Sequence, residues 1–390
     1  MKGIFKQATQ ISSIEILDRQ PMGVFMVKKT SILVVFTILV VGLPLIGVYL
    51  SGRSALLFVS FPPLARPAGH EPFSWLVFMA YLFLEIGTLC VFGVVARGSL
   101  PKSDLAIPPV KGGFPWWGWL ASGVLLISWF LAWTRMPWFG FFQRHTFIPL
   151  WFSYIVVVNA MCFRQSGSCP LLNKPIFFLA LFPVSSVFWW YFEYLNQFAH
   201  SWYYTGVDYG PIPYSIHATI SFCTVLPAIY TTRTLISDMK WFRPRFFGLP
   251  PVWKSESIVF VSAILLVGCS GLIGVTLWPD KLFSMLWIAP LLILTSLQRI
   301  TGQTSIFSAM ADGGDWRPVL SAAIAALICG FFWEMWNYYS LAKWMYSIPY
   351  IYRFKIFEMP ILGYMGYLPF GLECIAIAEF FEVRYINCKN

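Results

Sequence analysis

The sequence predicts an all-α, polytopic membrane protein, a bundle of about ten transmembrane helices. Hydrophobic residues make up 58% of the 390 residues, charged residues make up only 11%, and the mean hydropathy is +0.68. A soluble core of this size cannot bury so much apolar surface, and disordered chains have the opposite composition. The apolar residues also form runs of about 20 residues, which is the length that crosses a bilayer.

Ten such runs are expected to span the membrane, and the eighth of them is short. They cover residues 31–50, 74–96, 117–133, 147–163, 175–196, 213–231, 257–278, 283–298, 318–340 and 360–383. The polar segment 1–30 precedes them and shows no cleavable signal. A tail, 385–390, follows the last span.

The basic residues predict the orientation of the chain. With a cytoplasmic N-terminus, the inner loops carry 19 of the 27 lysines and arginines and the outer loops carry 8. Positive charge favours the cytoplasmic side, so we expect both termini and the basic linker 234–256 in the cytoplasm, with the chain in a cell inner membrane. The net charge of +10 is spread over the loops rather than gathered in a patch. Nucleic acid is therefore not an expected partner.

Six landmarks recur along the chain at an offset of 141 or 142 residues. The matches are Pro149-Leu150 with Pro290-Leu291, Glu193 with Glu334, Asn196 with Asn337, Trp202 with Trp344, Tyr204 with Tyr346, and Leu226-Pro227 with Leu368-Pro369. We therefore predict two parallel four-helix repeats, 117–233 and 257–384, related by a pseudo-two-fold axis along the membrane normal. Residues 31–116 would add two N-terminal helices to this duplicated core.

Glutamates within the spans are the first indication of function. They are Glu85, Glu193, Glu334, Glu373 and Glu379, and no lysine or arginine lies within a span to pair with them. A charged side chain at the centre of a span costs about 2.5–3.5 kcal/mol. We consider Glu334, Glu193 and Glu373 candidate catalytic residues, because neighbouring carboxylates can serve as one acid and one base. Glu373 has no counterpart in the first repeat, where Thr231 occupies its place.

Polar and aromatic residues follow the two matched glutamates. The candidates for substrate binding are Asn337, Asn196, Trp344, Tyr346, Trp202 and Tyr204. An aromatic roof over polar groups suits an apolar substrate such as an isoprenoid or a membrane lipid. In the alternative interpretation these residues are structural: each Glu-x-x-Asn pairs with its loop, or with Lys343 or Arg353, and the aromatic residues belong to the interfacial belt.

Metal binding and the form of the last span were considered separately. Glu193, His200 and His217 could form a metal site, but the second repeat has no equivalent histidines, so neither a metal nor another cofactor is expected. The stretch ILGYMGYLPF is rich in Gly and Pro, which predicts a kinked or loosely wound start of the last span. Glu358 adds a further carboxylate just before it.

The C-terminal quarter resembles the integral-membrane lycopene cyclase domain, a small multi-span unit that also occurs in duplicate. The resemblance rests on Trp333-Glu334, Trp344-x-Tyr346 and Pro369-Phe370-x-x-Glu373; the adjacent Glu-Glu pair of that family is absent. It implies proton-initiated isoprenoid chemistry on a buried carboxylic acid.

Three functions are compatible with the sequence. The first is an intramembrane enzyme or binding protein that acts on an isoprenoid or lipid near the outer interface. The second is a transporter that couples to protons or cations through the carboxylates. The third is a non-catalytic subunit whose aromatic faces are covered by partner membrane subunits.

Overall fold

The computed structural model describes residues 22–63, 67–98, 112–206, 209–248 and 257–382. Within these ranges the chain forms the following elements: α1 (Met22–Leu50), α2 (Trp75–Gly98), α3 (Trp116–Trp133), α4 (Phe147–Ser166), α5 (Pro170–Asn173), α6 (Pro175–Ala199), β1 (Trp202–Thr205), α7 (Pro211–Phe222), α8 (Val225–Ser237), α9 (Ile258–Leu277), α10 (Pro279–Leu282), α11 (Met285–Ile300), α12 (Ser308–Gly313), α13 (Arg317–Tyr338), β2 (Lys343–Tyr346), β3 (Lys355–Ile356), β4 (Met359–Pro360) and α14 (Tyr367–Phe381). The predicted tail 385–390, most of segment 1–30 and residues 249–256 of the linker lie outside the described ranges.

The helical membrane class is confirmed. In the described ranges, nine helices are long and apolar enough to cross a membrane; the pair α7–α8 counts as one of them, and α14 counts together with the turn before it. The eighth predicted span corresponds to α11, which has 16 residues and reaches only about 24 Å at the α-helical rise. The number of ten spans therefore stays a prediction.

The start of the last span is not α-helical, but it is wound more tightly rather than more loosely than an α-helix. Residues Ile361–Gly366 form a 3-10 helix that leads directly into α14. The short hairpin of β3 and β4 precedes it, with Lys355 opposite Pro360.

Small residues allow the helices of the core to approach closely. The buried face of α13 contains Ala322, Ala326 and Gly330, and it packs against α14. A side chain at Gly371 of α14 would lie 2.4 Å from the carbonyl oxygen of Ala322. Such contacts are typical of membrane bundles, where close packing rather than hydrophobic burial holds helices together.

The N-terminal helix α1 packs against α9 and α11, whereas α2 is largely exposed along its length. A Cβ at Gly47 would lie 2.6 Å from the carbonyl oxygen of Ile273, so α1 and α9 touch backbone to backbone. On α2, by contrast, the Leu76 and Leu84 side chains are 82% and 67% exposed. An apolar helix with so much exposed surface is suited to face lipid.

Polar contacts tie the loops together at each end of the bundle. At the end that carries β1 and β2, here called the strand end, Arg53 donates to the carbonyl oxygen of Thr276 and His70 Nδ1 lies 2.6 Å from Asp280 Oδ1. At the opposite end, the linker end, Arg233 pairs with Glu379 at 2.8 Å. Glu379, one of the five glutamates in the predicted spans, thus has a partner from α8.

The loops after α6 and α13 contain strands that the sequence did not predict. β1 and β2 pair antiparallel, with Trp202 opposite Tyr346, Tyr203 opposite Met345, and Tyr204 opposite Trp344. This two-stranded sheet joins the halves of the chain at the strand end and positions the candidate site.

Candidate functional site

An asparagine near the end of α6 and another near the end of α13 each fix the strand that follows the helix. Asn196 Oδ1 accepts the backbone N–H of Ser201 at 2.8 Å, and its Nδ2 donates to the carbonyl oxygen of Trp202 at 2.8 Å. Asn337 holds Trp344 in the same way, with 2.9 Å to its N–H and 2.8 Å to its carbonyl oxygen. Both asparagines are buried and use their side chains on the backbone. They therefore position the tryptophans.

Glu193 is 1% exposed and accepts three hydrogen bonds on one oxygen, Oε1. The donors are Tyr204 Oη at 2.6 Å, Trp189 Nε1 at 2.9 Å and Trp202 Nε1 at 3.1 Å. Burial, followed by the nearby Glu193 carboxylate, raises the pKa of Tyr204 well above its usual value. The phenol therefore keeps its proton and donates a hydrogen bond to the carboxylate.

Glu334 is fully buried and is bound by two tyrosines. Tyr346 Oη donates to Glu334 Oε1 at 2.7 Å and Tyr367 Oη donates at 2.8 Å, while Trp344 Nε1 donates to Tyr346 Oη at 3.0 Å. The second oxygen, Oε2, is buried and has no hydrogen-bond partner among the described residues. Glu334 thus ends a chain of hydrogen bonds that runs through the indole and the phenol.

The two glutamates differ in which helix supplies one of their hydrogen-bond donors. The offset of 141 places Gly330 at the position of Trp189, and the offset of 142 places Tyr367 at the position of Val225. A Cβ at Gly330 would lie 2.4 Å from the Tyr367 ring, so the missing side chain makes room for the tyrosine. Each glutamate is therefore bound by a large aromatic donor, which comes from the same helix at Glu193 and from the next helix at Glu334.

A partly open cavity of about 450 Å³ lies beside both glutamates. Its wall includes the indoles and phenols that bind them, Trp189, Trp202, Tyr204, Trp344, Tyr346 and Tyr367. Glu193 and Glu334 themselves do not line it; each is one hydrogen bond behind the wall. Glu373 does not line the cavity either; it is 1% exposed, and its Oε2 has no partner among the described residues.

The structural interpretation of the glutamates invoked two loop cations. Lys343 pairs instead with Glu358, at 2.5 Å, and the Arg353 guanidinium lies 4.4 Å from the centre of the Phe73 ring. In the described part of the chain, neither cation forms an ion pair with Glu193 or Glu334. The partners of these carboxylates are phenols and indoles.

The cavity wall also contains residues that the sequence analysis did not select. Glu85 on α2 is the only acidic residue that lines the cavity within the described ranges, and Arg144, His217 and Lys343 are basic or ionisable residues in the same wall. Glu85 was visible in the sequence as a lone charge in an apolar span, but it has no match in the repeats. Arg144 gave no local signal, and His217 was considered only as a possible metal ligand.

The three residues considered for a metal site do not come together. His217 stacks on His145, with ring centres 4.5 Å apart, while Glu193 is bound by its tryptophans and tyrosine. His200 ends α6 and lies near His70, whose Nε2 is 3.2 Å from the His200 carbonyl oxygen. Over the described ranges, no group of three or more His, Cys, Asp or Glu side chains could hold a metal ion.

Comparison with known proteins adds no family to this description. No protein-family model, no curated protein and no solved structure matches the chain.

Proposed function

We propose that the protein binds an isoprenoid or a similarly apolar lipid in the cavity and carries out acid-base chemistry on it. The cavity wall is the observation that supports this proposal. It combines tyrosine hydroxyls that donate to a buried carboxylate with a lining that is otherwise mostly apolar. Binding sites for small apolar ligands combine these two features, a largely apolar lining and a few placed polar groups. The exposed helix α2 forms one side of the cavity, which gives a ligand a route from the lipid.

The hydrogen bonds support a proton relay through tyrosine. Tyr346 already donates to Glu334, so its phenolic oxygen can take a proton from a ligand while its own proton moves to the carboxylate. The tyrosine stays neutral throughout, and Glu334 changes its protonation state. In the reverse direction, a protonated Glu334 returns the proton through the phenol to the ligand. Glu334 is the better candidate of the two glutamates because two phenols converge on it.

The residues that carry the resemblance to the lycopene cyclase domain support an isoprenoid in particular. Trp344, Tyr346 and Glu334 stand in one connected chain of hydrogen bonds. Trp333, which precedes the glutamate, lines the same cavity. Buried acids covered by aromatic rings suit the generation of positive charge on an apolar substrate, because the ring faces attract cations.

We also infer that residues 117–233 and 257–384 are duplicated units related by a two-fold axis that passes between β1 and β2. The strand register supports this, because exchanging the repeats converts the pair Trp202–Tyr346 into the pair Trp344–Tyr204. The central pair, Tyr203 and Met345, maps onto itself. The cavity would then lie at the interface of the repeats, as in other duplicated membrane proteins.

Lipid extraction followed by mass spectrometry tests the proposed function. The Gly366→Leu variant should fill the cavity without strain, because Gly366 lines it, has φ −61°, and a Cβ there meets nothing within 4 Å. Gly123→Leu is the matched control, since that position is equally open but lies outside the cavity wall. We expect wild-type protein and the control to retain one apolar ligand above the bulk lipid, and Gly366→Leu to lose it.

Equal lipid content in all three proteins would refute the proposal. Proton or cation flux in proteoliposomes without a retained ligand would support a coupled transporter instead. A stable complex with another membrane protein, with neither ligand nor flux, would support a non-catalytic subunit.

A further inference from the structure

The mouth of the cavity at the strand end contains a cation for which the described part of the chain provides no partner. Arg144 lies in the short turn before α4, is exposed, and lines the cavity. Among the described residues it forms neither an ion pair nor a hydrogen bond. Lys343 lines the same wall but is already neutralised by Glu358. Within the described ranges, one guanidinium at the mouth is therefore available to a ligand.

Two histidines and a tyrosine form a stack next to Arg144. The His145 and His217 rings are 4.5 Å apart, the His217 and Tyr209 rings are 5.1 Å apart, and Tyr209 Oη lies 3.4 Å from His145 Nε2. His217 and Tyr209 line the cavity, whereas His145 supports them from behind. Burial, followed by His217 and Arg144, lowers the pKa of His145. An anion at this place would offset the positive charge of Arg144 and so favour the protonated form of His145.

The charged groups of the cavity are separated by depth. Arg144 is in the loop before α4, whereas Glu85 is ten residues into α2, about 15 Å from the start of that helix. The wall between them is mostly apolar and rich in aromatic rings. The cavity thus offers cationic and hydrogen-bonding groups at its mouth and apolar surface further in, which is the polarity of an amphiphile with an anionic head.

We propose that Arg144, His217 and Tyr209 bind the phosphate or diphosphate head group of a ligand whose isoprenoid chain occupies the aromatic cavity. This inference rests on the proposed function and adds a charged head group to it. The planar guanidinium suits phosphate, since it can donate two parallel N–H bonds to two phosphate oxygens. The imidazole and the phenol add a further donor each.

Binding of three probes to the purified full-length protein in detergent tests the inference. The probes are farnesyl phosphate, farnesol and inorganic phosphate, and the signal is the quenching of tryptophan fluorescence at the cavity wall. We expect farnesyl phosphate to bind at least about tenfold more tightly than farnesol, as a charge-assisted head-group contact implies. Arg144→Gln should remove most of this difference and leave farnesol binding unchanged. His217→Gln, a second variant, should reduce it in part.

Lys281→Gln is the matched control, because Lys281 is an exposed cation at the strand end that does not line the cavity. It should leave all affinities unchanged. Equal affinity for farnesyl phosphate and farnesol, unaffected by Arg144→Gln, would overturn the head-group site and leave the proposed function standing. Inorganic phosphate that binds as tightly as farnesyl phosphate would overturn a lipid ligand at this site in favour of free phosphate. Failure of both isoprenoid probes to bind would overturn the proposed function together with this inference.

Discussion

Single residues decide whether the buried carboxylates are chemical or structural. Glu334→Gln keeps the size of the side chain and an amide oxygen that can accept from Tyr346 and Tyr367, but it cannot take up or release a proton at neutral pH. We expect this variant to abolish conversion of the retained ligand while expression and thermal stability stay nearly unchanged. Glu193→Gln, the matched control in the other repeat, should do less harm. Ligand conversion is followed by chromatography, and stability by thermal unfolding in detergent.

Loss of folded protein in Glu334→Gln, with no separable defect in conversion, would make the glutamate a structural clamp. Equal damage from Glu193→Gln and Glu334→Gln would remove the distinction drawn here between the two repeats.

His200 predicts how stability depends on pH. Burial, followed by His70 and Arg53, lowers the pKa of His200, so the unfolded chain binds a proton there more readily than the folded chain. Stability should then fall as the pH drops below the ordinary histidine value near 6.5. His200→Asn removes this group and tolerates the positive φ of 51° at that position. The unfolding temperature of this variant should fall less than that of the wild type between pH 7.5 and 5.5; an identical fall would contradict the assignment.

The sequence predicted the local part of the site but not the part made by distant elements. Glu193 and Asn196 lie near the end of a helix and bind their own loop within eleven residues, so their role could be inferred from spacing. Tyr367, by contrast, reaches Glu334 across 33 residues because Gly330 leaves room for its ring. Glu85 reaches the cavity from α2, and no recurring pattern in the sequence indicates where α2 packs. Such contacts depend on how helices are arranged, which hydropathy does not encode.

At the scale of elements, hydropathy located the helices well and the loops poorly. Within the described ranges, the nine long apolar helices follow from the hydropathy of the sequence, because backbone N–H and C=O groups in lipid must be hydrogen-bonded and a helix pairs them all. The break between α7 and α8, after Phe222, and the pairing of β1 with β2 were not predicted. Ser185 Oγ donates to the carbonyl oxygen of Phe222 and accepts the N–H of Leu226 at the break, so both features depend on contacts between elements that are distant in sequence.

The register of β1 and β2 is open to a direct test by cross-linking. Tyr203→Cys combined with Met345→Cys should form a disulfide readily under mild oxidation, since these residues are opposite each other in the antiparallel pair. The control combines Tyr203→Cys with Ser340→Cys, which lies five residues before Met345. Gel mobility after cleavage between the repeats reports the link. Efficient linking in the control pair but not in the first would exclude the two-fold register.

For the whole molecule, the charge distribution predicts which end faces the cytoplasm. Lys240 is exposed and close to the linker end, and Lys281 is exposed at the strand end. Lys240→Cys should resist an impermeant thiol reagent in intact cells because its loop is expected inside, whereas Lys281→Cys should react. Labelling above the wild-type background is read by mass shift. The opposite pattern would invert the topology and move the cavity mouth to the cytoplasmic leaflet.

The arrangement of the whole molecule explains why the glutamates lie behind the wall rather than in it. A bare carboxylate in an apolar cavity is costly, whereas phenols and indoles satisfy it and present an aromatic surface to the ligand. The asparagine-held strands bring these rings from both halves of the chain to one place. We therefore expect one apolar ligand between the halves, against the tyrosines that bind Glu193 and Glu334.

Photolabelling in native membranes tests that claim most directly. A diazirine-bearing isoprenol is added to membranes that contain the protein, activated by light, and located by peptide mass spectrometry. We expect labels on residues 202–204, on residues 344–346 and on the stretch of α2 around Glu85, and we expect Gly366→Leu to abolish them. Labels confined to lipid-facing positions such as Leu120 and Phe130, or labels at the cavity that persist in Gly366→Leu, would contradict it.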